Sequence, residues 1–357
     1  MYPEGVRVFA INPGSTSTKL ALIEAGEGGV EVLRERTERH APAPTLSEDL
    51  ERRRELVHEQ ARAWAPFDAI AARGGLIGPV PAGVYEVDEA MVELCLSARH
   101  GAHPANLAAP LALELAHEHG VSAFVVDPPT VDELEEVSRI SGAPGIPRRS
   151  RVHALNLRYV ARKVARELGA RLDEVALIGA HLGGGTSVAR FSQGCMVDTN
   201  DALLGEGPFS PNRAGTVPIY GVIEKTLELG RDGARVFFGR EAGFKGLLGE
   251  DDLRKLEARM DEPPVLLAVD AYALGVAKYM LSLAAGERPR TFFLTGAGAR
   301  FGYVAEAVRR RIEWAAPVVL VPGEFEMEAL AEGVRRALAG EEKPRRIREV
   351  AHGNAGL

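Results

Sequence analysis

The sequence predicts an α/β protein made of two halves of like design, and three features predict it. Strand-like apolar runs lead into glycine-bearing turns at 12–17, 73–78, 181–187 and 295–299. In the first and third of these, one in each half, the turn opens directly onto a second strand pattern. Later in each half, a strand ends in polar residues just before a helix. At 357 residues the chain is long enough for two domains, and core size does not limit it. The halves share the order of their elements and almost none of their residues, so duplication is read from that order alone.

In the first half, apolar patterning gives strands over 6–12, 19–24 and 30–38. A polar helix follows over 47–64, with Ser47 as its N-cap. Residues 69–72 form a short buried strand running into Arg73-Gly-Gly, and two helices bracket Arg99-His-Gly-Ala-His-Pro-Ala-Asn106. Residues 123–127 form a buried strand ending on Asp127, before two prolines. Gly142, Pro144, Gly145 and Pro147 break regular structure and put a hinge at 144–150.

In the second half, a helix over 153–168 precedes a strand over 174–181, which enters Gly183-Gly-Gly-Thr-Ser187. Further meander strands cover 186–191 and 195–198. Helices are expected at 221–229, 231–239, 250–260 and 266–285. A strand at 291–294 runs into Thr295-Gly-Ala-Gly-Ala299, then a helix at 304–314, a strand at 318–321 and a helix at 326–339. The Arg-, Lys- and Glu-rich tail from Gly340 is expected to be poorly ordered.

Composition narrows the function. The chain is 46% apolar and 26% charged, as a soluble globular protein is. A net charge of −7 provides no basic field for nucleic acid, while local arginines can still bind small anions. Two cysteines, Cys95 and Cys195, rule out a disulfide framework and any zinc spacing. The stretch 265–285 is apolar but carries Asp270 and Lys278, so it reads as an amphipathic helix and not a membrane span. The opening Met1-Tyr-Pro-Glu-Gly-Val-Arg has no basic n-region and no apolar h-region, so the expected location is the cytoplasm.

The turn Asn12-Pro-Gly-Ser-Thr-Ser-Thr-Lys19 carries the chemistry first. Backbone N–H groups, the hydroxyls of Ser15 and Ser17 and the Lys19 ammonium are donors that suit phosphate oxygens. It is not a Walker loop, because the G-x-x-x-x-G-K-[ST] spacing is absent and a strand follows. With the turns at 181–187 and 295–299 it resembles the three-part nucleotide clamp of actin-like folds. The helix after Gly298 can offer its N-terminus to a phosphate or ribose.

Asn12-Pro-Gly-Ser-Thr-Ser-Thr-Lys19 and His181-Leu-Gly-Gly-Gly-Thr-Ser187 resemble the two signature segments of the acetate/butyrate kinase family. Further segments resemble its butyrate kinase branch. They are Arg73-Gly-Gly-Leu, Asp127-Pro-Pro-Thr-Val-Asp-Glu-Leu-Glu-Glu-Val, Arg148-Arg-Ser-Arg-Val-His-Ala-Leu-Asn156, Gly205-Glu-Gly-Pro-Phe-Ser-Pro-Asn-Arg213 and Pro322-Gly-Glu-Phe-Glu-Met-Glu-Ala-Leu. The resemblance implies a duplicated actin-like (ribonuclease H-like) α/β fold with an active-site cleft between the domains. Residues 1–149 with 326–357 would be the acyl-side domain, its C-terminal helix returning, and 150–325 the nucleotide-side domain. It implies phosphoryl transfer from ATP to butanoate, with Mg²⁺, in a homodimer or higher homo-oligomer with no nucleic-acid or membrane partner. Acetate, propionate or a branched-chain acid such as isobutyrate are alternative substrates. A nucleotide-binding regulator without acyl chemistry is an alternative of another class.

Such a transfer gathers several negative charges, so positioning and neutralisation carry the catalysis. By resemblance, Arg73 and Arg213 clamp the substrate, which planar guanidinium groups suit. Asp127, Asn12 and Glu326 would serve the metal, with Glu324 and Glu328 close enough to leave the register open. Asp127 and His153 would act at the transferring group, His103 in the acyl site. His181, Gly183, Gly184 and Gly185 would shape the second phosphate loop, and Gly296 and Gly298 the third turn. Gly184 stands where acetate kinases usually have Asn, so contact there would come from backbone N–H alone. Gly75, Ala102, Val152 and Leu204 would line the acyl pocket.

Overall fold

The computed structural model describes residues 5–41 and 43–350. The first four residues and the end of the tail, 351–357, on which parts of the sequence reading fall, lie outside the described residues. The chain divides into two compact units: one runs to Val131 and resumes at Phe325, the other is Asp132–Glu324.

The first unit opens with β1 (Val6–Pro13), β2 (Ser17–Gly26) and β3 (Gly29–Arg39), an antiparallel meander. Helix α1 (Leu46–Trp64) leads to β4 (Ala69–Ala72). Then come β5 (Val84–Glu86), α2 (Glu89–Leu96), α3 (Ala108–His119) and β6 (Ser122–Val126). Strand order is β3-β2-β1-β4-β6-β5, with β1, β4 and β6 parallel and β5 antiparallel on β6. Phe9, Ile11, Ile70 and Ala72 face a core shared with Val57, Leu111 and Leu115 of α1 and α3. Strands buried on both faces read as continuous apolar runs, which is why β1 and β4 were visible in the sequence.

The second unit contains α4 (Glu136–Arg139), α5 (Ala154–Glu167), β7 (Leu177–Leu182), β8 (Thr186–Ser192) and β9 (Cys195–Thr199). Helices α6 (Ile219–Arg240), α7 (Gly243–Leu248), α8 (Leu253–Glu257) and α9 (Pro263–Leu283) follow. Then come β10 (Thr291–Gly296), α10 (Gly302–Ile312) and β11 (Val318–Pro322). Its sheet runs β9-β8-β7-β10-β11, antiparallel in the meander and parallel from β7 onward. Leaving β5 aside, this is the order and sense of the first sheet. The duplication read from element order is thus present in the strand pairing. Helix α9 is long and apolar enough to cross a membrane by length and composition. Its Val265, Val269, Tyr272, Val276 and Met280 are nevertheless buried in this unit's core. The chain then returns to the first unit as α11 (Glu326–Leu338) and α12 (Ile347–Val350).

Several expectations are corrected. Thr45, not Ser47, caps α1, its hydroxyl accepting from Glu48 N–H at 3.2 Å. Residues 132–149, expected with the first half, belong with the second unit. There Arg139 donates to Asp132 at 2.7 Å, and Met196 N–H donates to Glu133 at 2.9 Å. The two helices expected at 221–229 and 231–239 do stand: α6 is broken at Gly230, whose φ of 68° no helix continues. The helix expected at 250–260 is only α8, capped by Asp252. The tail through Val350 is not loose: Val84 N–H donates to Glu342 at 3.0 Å and Arg345 donates to Ala82 O at 2.8 Å.

Candidate active site

Three parallel strands of the first unit end side by side. Ile11 pairs with Ala72, and Ala72 with Val125. Asn12, Arg73 and Asp127 therefore leave the carboxyl edge of one sheet, where α/β proteins bind ligands. Helix α11 packs on that sheet and adds Glu326. Asn12 Nδ2 donates to Glu326 Oε2 at 2.7 Å, and Arg73 Nε lies 3.5 Å from Glu326 Oε1. Glu326 is thus joined to both Asn12 and Arg73. The Glu328 carboxyl is pushed up by burial, with Lys19 opposing.

Arg73 is 8% exposed, and its Nη1 has no partner among the described residues. An orphaned buried guanidinium nitrogen is costly unless a ligand completes it. Beside it, His103 caps a short 3₁₀ turn, its Nδ1 accepting from Ala105 N–H at 3.1 Å. That bond leaves Nε2–H as the donor. Surrounding protein, then the charge of Arg73, lower the His103 pKa and keep the ring neutral, although part of it remains exposed.

The turn bearing Arg73 is held by a residue the sequence reading passed over. Asn106 is fully buried; its Oδ1 accepts from Leu76 N–H at 2.9 Å, and its Nδ2 donates to Cys95 O at 2.9 Å and Gly101 O at 3.0 Å. Gly75 has no side chain because Asn106 needs the space: a β-carbon there would stand 2.6 Å from Asn106 Cα. Ala102 is exposed. Asp127 adopts φ 39°, and its Oδ1 accepts from Gly83 N–H at 2.8 Å.

The β1–β2 turn is closed by Gly14 N–H donating to Ser17 O at 2.8 Å. Ser15 is exposed, and Ser17 and Lys19 are half-buried. The Lys19 ammonium pairs with Glu35 at 2.9 Å across β2 and β3, so an anion would have to compete for it.

The second unit repeats the arrangement. β7, β10 and β11 are parallel, and their carboxyl ends carry Gly183–Gly185, Gly296–Gly298 and Gly323. Gly183 and Gly185 are bare for a reason: a β-carbon at Gly183 would lie 2.7 Å from His181 Nε2, and one at Gly185 2.2 Å from Arg213 Nη1. Gly184 faces open space and is exposed, as a loop offering only backbone requires. Gly296 and Gly298 pack against Leu182 O, where β-carbons would come within 2.4 and 2.8 Å.

His153 and His181 stack with ring centroids 4.1 Å apart. His153 N and Nδ1 lie 3.1 and 2.8 Å from Ser187 Oγ. Asn156 Nδ2 lies 2.9 Å from His181 Nδ1 and 3.3 Å from Thr295 Oγ1, so His181 Nδ1 accepts. Arg213 Nη1 donates to Ala202 O at 2.7 Å; burial lowers the Arg213 pKa and Asp201 opposes it. Ala202 N–H in turn donates to Arg151 O at 3.1 Å, beside buried Val152. Val152, His153, Gly185 and Arg213 are therefore brought together, while Leu204 is 46% exposed. Asn156, Ser187 and Ser210, whose Oγ donates to Gly184 O at 3.1 Å, are supporting residues that lie within the quoted motifs but were given no role from the sequence.

Residues 142–313 match the model of the Acetokinase family. A protein of Oleidesulfovibrio alaskensis named as a probable butyrate kinase is 41% identical over 370 residues, covering 94% of this chain and 97% of that protein. The chain belongs to the acetate and butyrate kinase family. A second member from Coprothermobacter proteolyticus, also named as a probable butyrate kinase, is 38% identical, covering 95% of this chain and 99% of its own. The crystal structure of acetate kinase from Porphyromonas gingivalis matches with a TM-score of 0.76 at 19% identity, over 92% of this chain and 99% of that one. A propionate kinase from Francisella tularensis matches at 0.69 and 15% identity, over 92% and 98%. These likenesses speak for the fold alone, the two-domain actin-like fold of the family.

Proposed function

We propose that this chain is a butyrate kinase, transferring the γ-phosphoryl group of ATP to butanoate to give butanoyl phosphate and ADP, reversibly. ATP-dependent phosphotransfer to a carboxylate comes with the family; butanoate is the proposal. The observation that carries it is Arg73, a buried cation with an unpartnered Nη1, fixed by Glu326 beside a neutral His103 donor. A carboxylate or phosphoryl oxygen satisfies both groups at once. By the family resemblance Arg213 is a second substrate arginine, and His153 donates to the oxygens of the group in transfer. The glycine turns at 14–17, 183–185 and 296–298 take the nucleotide phosphates. The butanoate choice is supported by relatives 38–41% identical along nearly their whole length.

The oxygen donors of Asn12, Asp127 and Glu326 suit a hard cation. No group of three or more His, Cys, Asp or Glu among the described residues could hold a metal ion. Mg²⁺ uses few protein ligands and keeps water and phosphate oxygens. When bound, Mg²⁺ neutralises phosphate charge. Ile219, Tyr220, Ile223 and Leu227 on α6 are 51–79% exposed, an apolar face that supports a homodimer or higher homo-oligomer. The expected location is the cytoplasm.

A hydroxamate assay with ATP, Mg²⁺ and unbranched and branched C2 to C5 acids tests the reading. Butanoate should exceed acetate in kcat/KM by about 10–100-fold. A maximum at acetate or propionate would reassign the substrate, and no acyl phosphate with any acid would remove the activity.

A further inference from the structure

We propose that Arg53 is a positioning residue for the first phosphate loop, turning its backbone donors toward phosphate. The inference rests on the kinase reading above for the identity of the ligand. Arg53 lies on α1 and is 1% exposed. Its guanidinium makes four bonds. Nη1 donates to Ser17 O at 3.0 Å and to Thr18 Oγ1 at 2.7 Å. Nη2 donates to Gly14 O at 2.8 Å and to Asp49 Oδ2 at 2.8 Å.

A buried ion pair is a poor way to stabilise a fold, since well-packed apolar side chains serve as well. What an apolar side chain cannot do is draw in carbonyl oxygens. Arg53 takes both carbonyls that bracket Ser15 and Thr16. In a trans peptide the carbonyl and the next N–H point in opposite directions. With Gly14 O drawn toward α1, the Ser15 N–H points away from it, on the exposed side of the loop. The fork geometry of guanidinium reaches both carbonyls at once, which an ammonium cannot. Asp49 holds the fork in place.

The arrangement extends one residue further. The Thr18 hydroxyl accepts from Arg53 and lies within hydrogen-bond distance of His40 Nε2, at 3.2 Å. Burial, with the charges of Arg53 and Arg52, lowers the His40 pKa and favours the neutral ring. The loop is therefore tied to α1 through the backbone carbonyls of Gly14 and Ser17 and the side chain of Thr18. The exposed Ser15 and Thr16 between them are left for the ligand.

The test uses the whole chain and the variants Arg53→Met, Arg53→Lys, Arg53→Ala and Asp49→Asn. Kinetics with ATP and butanoate are measured beside direct titration with ADP and with inorganic phosphate, and thermal midpoints are recorded separately. Arg53→Met should raise KM for ATP about 10-fold or more, as expected for loss of hydrogen bonds from a charged donor. KM for butanoate should stay within about 2-fold. Arg53→Lys should resemble Arg53→Met, because charge without the fork does not orient the loop. Asp49→Asn should move KM for ATP the same way by less, and it serves where an Arg53 variant does not fold. In Arg53→Ala, added guanidinium at low millimolar concentration should restore ADP affinity. Folded variants with wild-type ADP and phosphate affinity would overturn the proposal, as would equal losses for ATP and butanoate. If wild type makes no acyl phosphate, the kinase reading fails, while ADP titration of the variants still decides the role of Arg53.

Discussion

The guanidinium of Arg213 rests against the bare Cα of Gly185. A β-carbon there would stand 2.2 Å from Nη1 and 3.4 Å from His153 Cε1. Gly185 thus makes room for a cation, a role beside the phosphate contact proposed for the Gly-Gly-Gly run. Gly185→Ala should push the end of a flexible side chain aside, at small cost in thermal midpoint. Displacing a desolvated cation from its substrate costs roughly 2–5 kcal/mol. We expect kcat/KM for butanoate to fall about 10²-fold or more. Gly185→Ala with Arg213→Ala should be little worse than Arg213→Ala alone, because both remove one interaction. Additive losses would show that the two residues act separately.

Arg73 and His103 are coupled by charge, and pH reads the coupling. Burial and Arg73 lower the His103 pKa, so folding favours its neutral form. Stability from this group is intact above the ordinary histidine value of 6.5 and declines as pH falls below it, until the folded value is passed. Arg73→Met removes one of the two causes, so the His103 pKa should rise and the decline should shrink. Ring-proton NMR titration measures the shift directly. An unmoved His103 pKa in Arg73→Met would separate the two residues.

Much of this architecture was legible in the sequence, and the exceptions have physical causes. The meanders were visible because β1, β2, β7 and β8 are apolar runs around short glycine turns. β5 was not, because three residues carry no period and its partners at 342–345 arrive from the far end of the chain. Arg53 was hidden in Glu-Arg-Arg-Arg-Glu, a run that reads as a solvated helix face although its central arginine is buried. Asn106 and Asn156 were hidden for the converse reason: polar residues within apolar helix starts reveal their partners only in three dimensions. The glycine at 75 was noticed, but its purpose, giving way to Asn106, depends on a contact 31 residues away.

Asp127 combines a turn role with a charge, and the two can be separated. Its φ is 39°, and its Oδ1 accepts from Gly83 N–H at 2.8 Å. Asparagine tolerates that conformation and keeps the acceptor while losing the anion. Asp127→Asn should therefore hold its thermal midpoint while the Mg²⁺ concentration for half-maximal rate rises about 10-fold, as a hard cation loses a charged ligand. Asp127→Ala should lose stability as well. A Mg²⁺ titration of Asp127→Asn that overlays wild type would leave Asp127 with the turn alone.

Chain-length preference is the most discriminating test, because the structure sorts two residues expected to line the same pocket. Val152 is 7% exposed and immediately precedes His153, with the Arg151 carbonyl bonded to Ala202 N–H, next to the Ala202 carbonyl that accepts from Arg213. Bulk added there should fill the space of the longer acyl tail. Each buried methylene is worth roughly 0.8 kcal/mol, and fit effects raise discrimination to about 10-fold or more per methylene. Val152→Phe should thus lower kcat/KM for butanoate at least about 10-fold more than for acetate. Val152→Ala, which leaves room, should shift preference toward C5 acids and controls for overpacking. Gly75→Val should behave otherwise. Its β-carbon would meet Asn106 Cα at 2.6 Å and dislodge the residue that holds Leu76, Cys95 and Gly101. It should lower the thermal midpoint and reduce acetate and butanoate turnover alike. If Val152→Phe leaves the butanoate to acetate ratio unchanged, or Gly75→Val alters that ratio in a fully stable enzyme, the acyl tail does not lie against Val152.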